Sequence, residues 1–418
     1  MIKDNSQLRE IEFYLQSHLD GYLDILHRMV EINSFTANQS GVKKFGELVA
    51  QIFEPLGFES DFVASIKPNF GNHLFLKLNR EYDSIKITRP TVALISHLDT
   101  VFSPEEEETH HFHWRVENNR IFGPGTIDIK GGTLMMLIVL EVLQKFRPEL
   151  FNEVNWLLCF NASEEVLSHD FSQLCLERLP KDTKACLIFE AGNIENDQFK
   201  LVTARKGRAY FKVKAFGRSA HSGNNHHTGA NAIVQLALLI PKIASFTDYE
   251  KRITFNVGTI KGGSVVNRVP HYAEAEVEMR AFDPLVFEQG VQQMLSLDGA
   301  STVQSQDGFR CQIKVEMLEK TQPWPHNPAT NRLFSYWEGA ATLLGMKVTP
   351  EERGGLSDGN FLWEHFPTMD GLGPAGDNAH CSESDPQLGK EQEYLSIRSI
   401  IPKALLNVFA IESLLSNE

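Results

Sequence analysis

Four short apolar runs, separated by segments with helical periodicity, are the feature that most constrains the fold of this chain of 418 residues. Each run is long enough for one strand and lacks a polar face, which is typical of a strand buried on both sides of a sheet. Gly131-Gly132 opens a helical segment, 133–146, between the second run and the third. Strands that alternate with helices predict an α/β core. The runs are residues 72–78, 91–96, 154–160 and 185–190.

A different pattern begins near residue 205, where strands with alternating polar and apolar residues are separated by two helices. Their order is β-α-β-β-α-β, the signature of a ferredoxin-like α+β domain. Because a chain of this length usually contains two or three domains, we expect this domain to be inserted into a larger one. The predicted boundaries are 1–204 and 321–418 for the two parts of the larger domain and 205–320 for the inserted domain.

Net charge and cysteine content restrict the partners and the compartment. A formal charge of −14 argues against nucleic acid or an anionic membrane as a partner. The five cysteines are odd in number and lack Cys-x-x-Cys spacing, so we expect thiols in a reducing cytoplasm. The first residues have no apolar core for a signal peptide, and charge interrupts the longest apolar runs before about 18 residues. These features predict a soluble, cytoplasmic protein.

Five side chains that commonly bind divalent metals lie in segments that follow the predicted strands or open a helix. Three of them follow predicted strands directly, and sites in open α/β sheets gather at the carboxyl ends of strands. Two histidines and three carboxylates suit a pair of zinc-like ions that share one carboxylate. The sequence therefore predicts a two-metal hydrolase. The five residues are His97, Asp128, Glu165, Glu190 and His380.

Two further carboxylates have positions that suggest supporting roles. Asp99 is two residues from His97, and a metal-binding imidazole usually has its second N–H held by a carboxylate. Glu164 directly precedes Glu165 and could act as the general base. Taken singly, each of these residues has an ordinary alternative, since Asp128 could cap the following helix and the two glutamates could be solvated. The acidic run 105–108 and the histidines at 110–113 and 226–227 are predicted to be exposed loop residues.

The order and surroundings of these segments resemble the M20 family of zinc metallopeptidases, especially the glutamate carboxypeptidases of the carboxypeptidase G2 type. The resemblance extends from about residue 20 to the end of the chain. Ser96 and Ile129 depart from the family pattern, which has Gly and Met there, but neither change removes a ligand. The motifs that carry the resemblance are Ser-His-Leu-Asp-Thr-Val-Phe (96–102), Gly-x-x-Asp-x-Lys-Gly-Gly (125–132), Glu-Glu (164–165), Gly-Arg-Ser-Ala-His-Ser-Gly (217–223), Val-Gly-Thr-Ile-Lys-Gly-Gly-Ser-Val-Val-Asn-Arg-Val-Pro (257–270) and Gly-Leu-Gly-Pro-Ala-Gly-x-x-Ala-His (371–380).

This resemblance implies a zinc-exopeptidase-type catalytic domain, with a mixed sheet flanked by helices, and an inserted lid that also forms a homodimer. It implies two Zn²⁺ ions per subunit, with Co²⁺ or Mn²⁺ as substitutes. Asp128 would bridge the ions, His97 and Glu190 would complete one site, and Glu165 and His380 would complete the other.

The resemblance also assigns residues to the substrate. His221 of one subunit would donate a hydrogen bond to the reacting oxyanion in the other subunit. Arg353, before Gly-Gly, would hold the substrate carboxylate, because a guanidinium binds a carboxylate with two parallel hydrogen bonds. Arg280, at the end of an acidic strand, and Asn267 would be further substrate contacts. A surface or structural role is the alternative for each.

The predicted activity is hydrolysis of an amide bond that releases a C-terminal acidic amino acid from a small peptide or an N-acyl amino acid. Glu164 would take the proton from the attacking water and deliver it to the leaving nitrogen. A deacylase of the acetylornithine or succinyl-diaminopimelate type is the alternative with the same chemistry, and the Arg353 segment alone favours the carboxypeptidase. An inactive binding homologue is a third reading, which the presence of all five ligands and the base disfavours.

Overall fold

The computed structural model describes residues 5–78, 89–167 and 169–416. The chain forms two compact units, and the second is inserted into the first in sequence. The chain re-enters the first unit at His326, but residues 352–361, which include Arg353, belong to the second unit again. The first unit comprises Met1–Thr203, His326–Glu351 and Leu362–Glu418, and the second comprises Ala204–Pro325 and Glu352–Phe361.

Helices and strands follow one another along both units. The helices are α1 (Asn5–Val30), α2 (Gln39–Phe53), α3 (Pro104–Thr109), α4 (Gly131–Phe146), α5 (Pro148–Asn152), α6 (His169–Arg178), α7 (Ala232–Ala244), α8 (Pro284–Leu295), α9 (Pro328–Leu344), α10 (Gly359–Leu362) and α11 (Ile397–Ser416). The strands are β1 (Phe58–Ala64), β2 (Asn72–Leu78), β3 (Thr91–His97), β4 (Arg115–Glu117), β5 (Arg120–Phe122), β6 (Asn155–Asn161), β7 (Ala185–Ile188), β8 (Asn193–Glu195), β9 (Gln198–Arg205), β10 (Gly207–Phe216), β11 (Thr254–Gly262), β12 (Tyr272–Ala281), β13 (Gln312–Thr321), β14 (Val348–Arg353), β15 (Thr368–Met369), β16 (Gly376–Asp377) and β17 (Tyr394–Ser396).

The first unit is built on a six-stranded sheet in the order β1-β2-β6-β3-β7-β15. The apolar runs predicted as strands correspond to β2, β3, β6 and β7. All seven residues of β3 are buried, with Val92 and Leu94 in one hydrophobic cluster and Ala93 and Ile95 in another. A strand covered on both faces needs apolar residues at every position, which explains the continuous run. Because β3 pairs in parallel with β6 and β7, the carboxyl ends of these strands meet at one edge of the sheet.

Two long helices complete the core of the first unit. α4 has buried residues around almost its whole circumference and packs against α1 and α11. By length and composition α11 could cross a membrane, although charged residues interrupt its apolar runs. In this unit 61% of its apolar window is buried, and the helix packs against α9, so its composition is explained by its place in the core.

The second unit contains a four-stranded antiparallel sheet in the order β11-β12-β10-β13, with α7 and α8 packed against it. The alternation that predicted the strands is the alternation of burial, since Ala209, Phe211, Val213 and Ala215 of β10 are all buried in the core of this unit. The ferredoxin-like order of elements predicted from the sequence is the order of β10, α7, β11, β12, α8 and β13.

The acidic run 105–108 is not a loop, contrary to the sequence prediction, and lies in α3. Ser103 precedes the helix and its hydroxyl accepts a hydrogen bond from the backbone N–H of Glu106, while Pro104 occupies the first turn. Three glutamates in the first turn of a helix interact favourably with its positive end. Glu107 is also held from outside the helix, because the side chain of Asn33 donates to its carboxylate at 2.7 Å.

Candidate metal centre

The five residues of metal-ligand type are brought to one edge of the central sheet. His97 is the last residue of β3, and Glu165 and Glu190 follow β6 and β7. Asp128 lies in the Thr126–Lys130 turn that leads into α4, and His380 follows β16. Residues separated by up to 283 positions in the sequence thus meet because three parallel strands end together.

These residues form two groups that share Asp128. One group is His97, Asp128 and Glu190, and the other is Asp128, Glu165 and His380, with one candidate ligand atom of each residue within 4.8 Å of the others in its group. Asp128 faces each group with a different oxygen. Its Oδ1 lies 3.0 Å from His97 Nε2, and its Oδ2 lies 3.1 Å from His380 Nε2. This is the arrangement expected of a carboxylate that bridges two cations.

The electrostatics of the cluster reflect several acidic groups held close together around two imidazoles. Burial raises the pKa of Glu165, and the Asp128 carboxylate adds to this, so that it reaches about 7. Hydrogen bonds with Asp128 and then Glu165 raise the pKa of His380 to about 11. Burial would raise the pKa of Asp128, but hydrogen bonds from His380 and His97 outweigh it and hold that pKa well below its usual range. Positive charge is therefore strongly favoured at this place.

One carboxylate oxygen of the cluster is buried without a hydrogen-bond donor. This atom is Glu165 Oε1, which has no hydrogen-bond partner among the described residues. A buried carboxylate oxygen without a donor is costly unless a cation compensates it. Two histidines with carboxylates form the donor set that zinc and related divalent metals accept. The residues present therefore fit a pair of such ions.

Asp99 has further contacts besides the one with His97 that its spacing predicted. Its carboxylate accepts hydrogen bonds from the backbone N–H groups of Glu164 and Glu165, at 3.0 and 3.3 Å, and from the Thr36 hydroxyl at 2.7 Å. His97 Nδ1 lies 2.9 Å from the backbone carbonyl of Asp99 and 3.6 Å from its carboxylate. The carbonyl oxygen can only accept a hydrogen bond, so it keeps the proton on Nδ1 and leaves Nε2 with a lone pair that could bind a cation. The carboxylate also fixes the turn that carries the two glutamates.

Glu164 lies in the short turn Glu164–Val166, at the end of β6, and is partly buried. Among the described residues it is a member of neither metal-type group, although its neighbour Glu165 is. The predicted division between one ligand and one non-ligand in this pair is thus compatible with the geometry.

The remaining predicted residues lie in the second unit and form two pairs. His221 pairs with Arg268 through a backbone bridge, and the N–H of Ser222 donates to the carbonyl of Asn267 at 3.0 Å. The His221 ring is exposed, and its Nδ1 accepts from the backbone N–H groups of two following residues at 3.1 Å. In the neutral ring the proton is therefore on Nε2, which makes this atom a donor.

Arg280 lies next to the segment that carries Arg353. It donates to the carbonyl of Gly354 at 2.6 Å and forms an ion pair with Glu278 at 2.7 Å. The carbonyl of Arg353 accepts from the backbone N–H of Lys206 at 3.0 Å. Two of the contacts of the Arg280 guanidinium are thus made within the protein. One of them, to Gly354, places Arg280 beside the residue that follows Arg353.

A model of peptidase family M20/M25/M40 matches residues 93–394, a span that includes both metal-type groups and covers more than half of the chain. This chain belongs to peptidase family M20. It is accordingly an enzyme, a metal-dependent hydrolase of that family.

Proteins similar to this M20 chain include peptidases and a deacetylase. Carboxypeptidase G2 of Pseudomonas sp. (strain RS-16) is 24% identical over 385 residues, which cover 91% of this chain and 86% of that protein. Acetylornithine deacetylase of Buchnera aphidicola subsp. Acyrthosiphon pisum (strain Tuc7) is 26% identical over 254 residues, 58% of this chain and 59% of that protein. A solved structure of a dinuclear metal binding peptidase of the M20 family from Bacillus subtilis has a TM-score of 0.65 and 14% identity, and the match covers 96% of this chain and 99% of that one. The predicted α/β fold is confirmed by this likeness.

Sequence reasoning missed two residues that support the predicted site of this M20 chain. Thr36, in the loop after α1, donates to Asp99 and is buried, but a lone threonine in a loop gives no sequence signal. Arg205, at the end of β9, is also buried, and its guanidinium donates to the carbonyls of Gly355 and Leu356 at 3.1 and 3.0 Å. An arginine among buried strand residues is a usable signal, because a buried guanidinium needs acceptors.

Proposed function

We propose that this chain is a di-zinc hydrolase that releases a C-terminal acidic amino acid from a small peptide or an N-acyl amino acid by cleaving an amide bond. The observation that carries the proposal is the pair of three-residue groups that share the two oxygens of Asp128. A relative named carboxypeptidase G2 supports the substrate class, and a structural neighbour described as a dinuclear metal binding peptidase supports the number of ions.

The residues of the two groups would hold one ion each, with Asp128 between them. His97 and Glu190 would complete the first site, and Glu165 and His380 the second. When bound, two zinc ions supply Lewis acidity, which acidifies water and polarises the scissile carbonyl. Co²⁺ and Mn²⁺ accept the same donors and would be the natural substitutes.

Glu164 is proposed as the general base and then the general acid. It would take a proton from the attacking water and transfer it to the leaving nitrogen. Asp99 positions Glu164 through the backbone, since its carboxylate accepts the N–H groups of both glutamates in the turn. His221, with a donor at exposed Nε2, would stabilise the oxyanion that develops on the carbonyl oxygen.

The proposed substrate contacts are Arg353, Arg280 and Asn267. A substrate carboxylate brings negative charge into a centre that is already rich in carboxylates, so a fixed cation is needed to offset the repulsion. Arg353 has the guanidinium geometry for this purpose. Deacylation of an N-acyl amino acid of the acetylornithine or succinyl-diaminopimelate type is the second candidate, favoured by the relative named acetylornithine deacetylase.

A homodimer formed through the second unit is part of the proposal. β11 is at the edge of its sheet, and exposed apolar side chains line this edge and the neighbouring face of α7. An edge strand with apolar surroundings is a ready surface for pairing with a second copy, and two-fold symmetry is the commonest arrangement. The exposed side chains are Ile260 at 57%, Leu238 at 54% and Val234 at 44%. All five cysteines carry thiols, which supports a cytoplasmic location.

Hydrolysis of paired substrates tests the proposal. Purified protein with added Zn²⁺ is assayed with glutamyl and aspartyl peptides that carry a free or an amidated C-terminus, and with N-acetyl and N-succinyl amino acids. We expect Arg353→Ala to lower kcat/KM for free acids by about one to three orders of magnitude, since charge-assisted hydrogen bonds contribute about 1.5–3 kcal/mol each. The poorer amidated substrates should change little.

Two control variants separate the roles of charge and position. Arg353→Lys keeps the charge without the two-pronged geometry and should recover only part of the loss. Arg310→Ala removes an exposed arginine of the same unit and should leave both substrate types unchanged. Equal losses on free and amidated substrates in Arg353→Ala would show that Arg353 is structural, and the deacylase would then become the better proposal.

A further inference from the structure

Glu393 is a fully buried carboxylate that contacts the Asp128 turn from a distant part of the chain. It directly precedes β17 and is 0% exposed. Its Oε1 accepts a hydrogen bond from the backbone N–H of Ile127 at 2.9 Å and a second from the N–H of Asp128 at 3.3 Å. Two successive backbone N–H groups, both on the amino side of the Asp128 side chain, are therefore held by one oxygen atom.

The backbone of the same residue holds the segment that carries His380. The N–H of Glu393 donates to the carbonyl of Cys381, the residue after His380, at 2.8 Å. His380 and Asn378 have φ angles of 66° and 61°, in the left-handed region that side chains other than glycine adopt rarely. Asn and His adopt this region more readily than most residues, but tertiary contacts still help to hold it. Glu393 supplies one of these contacts.

We propose that Glu393 is a positioning residue that fixes the position of Asp128 relative to His380. It thereby determines the affinity of the ion site formed by Asp128, Glu165 and His380. The inference rests on the proposed function, in which these residues bind metal. Glu393 acts through the backbone at Asp128 and next to His380, and among the described residues it belongs to neither metal-type group. A parallel exists in Asp99, whose carboxylate fixes the N–H groups of Glu164 and Glu165 in the same manner.

Two substitutions separate position from charge. Glu393→Gln removes the charge but keeps an acceptor oxygen at the place of Oε1. Glu393→Asp keeps the charge but withdraws the oxygens by one methylene, away from the N–H groups of Ile127 and Asp128. If the position of the acceptor oxygen matters, the Gln variant should bind zinc like wild type and the Asp variant should bind it more weakly. If the charge matters, the Asp variant should bind zinc like wild type and the Gln variant more weakly.

Zinc affinity is measured by competition with a chromophoric chelator. We expect Glu393→Asp to bind the weaker of two zinc ions about 10–100-fold less tightly, the usual effect of losing a residue that orients a ligand, and Glu393→Gln to remain close to wild type. Glu412→Asp is the matched control. Among the described residues, Glu393 and Glu412 each have one hydrogen-bonded oxygen and one buried oxygen without a donor, and the paired oxygen of Glu412 lies 2.7 Å from Arg147. This control variant should leave zinc affinity unchanged.

A second measurement needs no metal. In chelator-treated protein, amide hydrogen exchange at Ile127 and Asp128 should accelerate in Glu393→Asp and stay slow in Glu393→Gln, since only the former loses the acceptor. Wild-type zinc affinity in the Asp variant, an equal loss in the Gln variant, or an equal loss in Glu412→Asp would each overturn the inference. Wild-type protein that binds fewer than two zinc ions, while exchange follows the expected order, would instead contradict the proposed function and leave the positioning contact established.

Discussion

Replacing Glu165 by glutamine should stabilise the metal-free protein and weaken the metal-loaded one. The Glu165 side chain is 7% exposed, and burial, followed by repulsion from Asp128, raises its pKa from 4.5 to about 7. An acid whose pKa is higher in the folded state than in the unfolded state favours folding only while it is protonated. The free energy of unfolding therefore falls as the pH rises from about 4.5 to about 7, and stays lowered above that range.

The size of the effect follows from the change in pKa. At about 1.36 kcal/mol per pKa unit, the rise to about 7 corresponds to about 3 kcal/mol of lost stability at pH 8. Glutamine is neutral at every pH and does not incur this loss. Metal-free Glu165→Gln should therefore be more stable than wild type by up to about 3 kcal/mol at pH 8, and by less than about 1 kcal/mol at pH 5.

Zinc should reverse the order of stability. A ligand that binds only the folded state at 1,000 times its Kd adds about 4.1 kcal/mol to the free energy of unfolding, which exceeds the deficit of about 3 kcal/mol. Wild type keeps Glu165 as a candidate ligand and should receive this gain, whereas Glu165→Gln should receive less. At pH 8, Glu165→Gln should thus have the higher free energy of unfolding in chelator-treated samples, and wild type should have the higher value in zinc-saturated samples.

Urea denaturation followed by tryptophan fluorescence measures these differences. Four of the five tryptophans, at 114, 156, 337 and 363, lie in the first unit, so the signal reports mainly on the unit that contains Glu165. Glu31→Gln, at a side chain that is 61% exposed, is the control. It should change the urea denaturation curve of neither the metal-free nor the zinc-loaded protein. A metal-free Glu165→Gln protein that is less stable than wild type by the same amount at pH 5 and pH 8 would refute the reasoning.

Three further predictions test the proposed roles of single residues. Glu164→Ala should keep two zinc ions by elemental analysis while kcat falls by about two orders of magnitude or more, and loss of an ion from it would identify Glu164 as a ligand. Thr36→Val removes one hydrogen bond to the Asp99 carboxylate and should lower the free energy of unfolding by about 1.5–3 kcal/mol in urea, with an unchanged value showing that the bond is unimportant. Mixing inactive Glu164→Ala and His221→Ala subunits should restore up to about a quarter of wild-type activity, because each mixed two-fold dimer contains one intact site. No recovery in demonstrably mixed dimers would place His221 in the site of its own subunit.

The sequence by itself determined the elements of the fold whose signal is local. The run 91–96 predicted β3 because a strand buried on both faces needs apolar residues throughout, and the alternation in 208–216 predicted β10 because one face of its sheet is buried. His97, Asp128 and Glu190 were recognisable because side chains of metal-ligand type followed such runs or opened a helix. The family resemblance, which is confirmed, depended on the same short motifs.

Contacts between distant segments were decided only by the tertiary structure. The spacing of His97 and Asp99 suggested a contact between imidazole and carboxylate, and the folded loop gives the imidazole both the Asp99 carbonyl at 2.9 Å and the Asp99 carboxylate at 3.6 Å. That the same carboxylate also accepts from the amides of Glu164 and Glu165 was decided only by the fold. Glu393 gave no signal, because its acceptor role exists only where β17 lies beside the Asp128 turn, 265 residues earlier in the chain. Side-chain type and periodicity are local properties, whereas the partner of a buried polar atom depends on which segments the folded chain brings together.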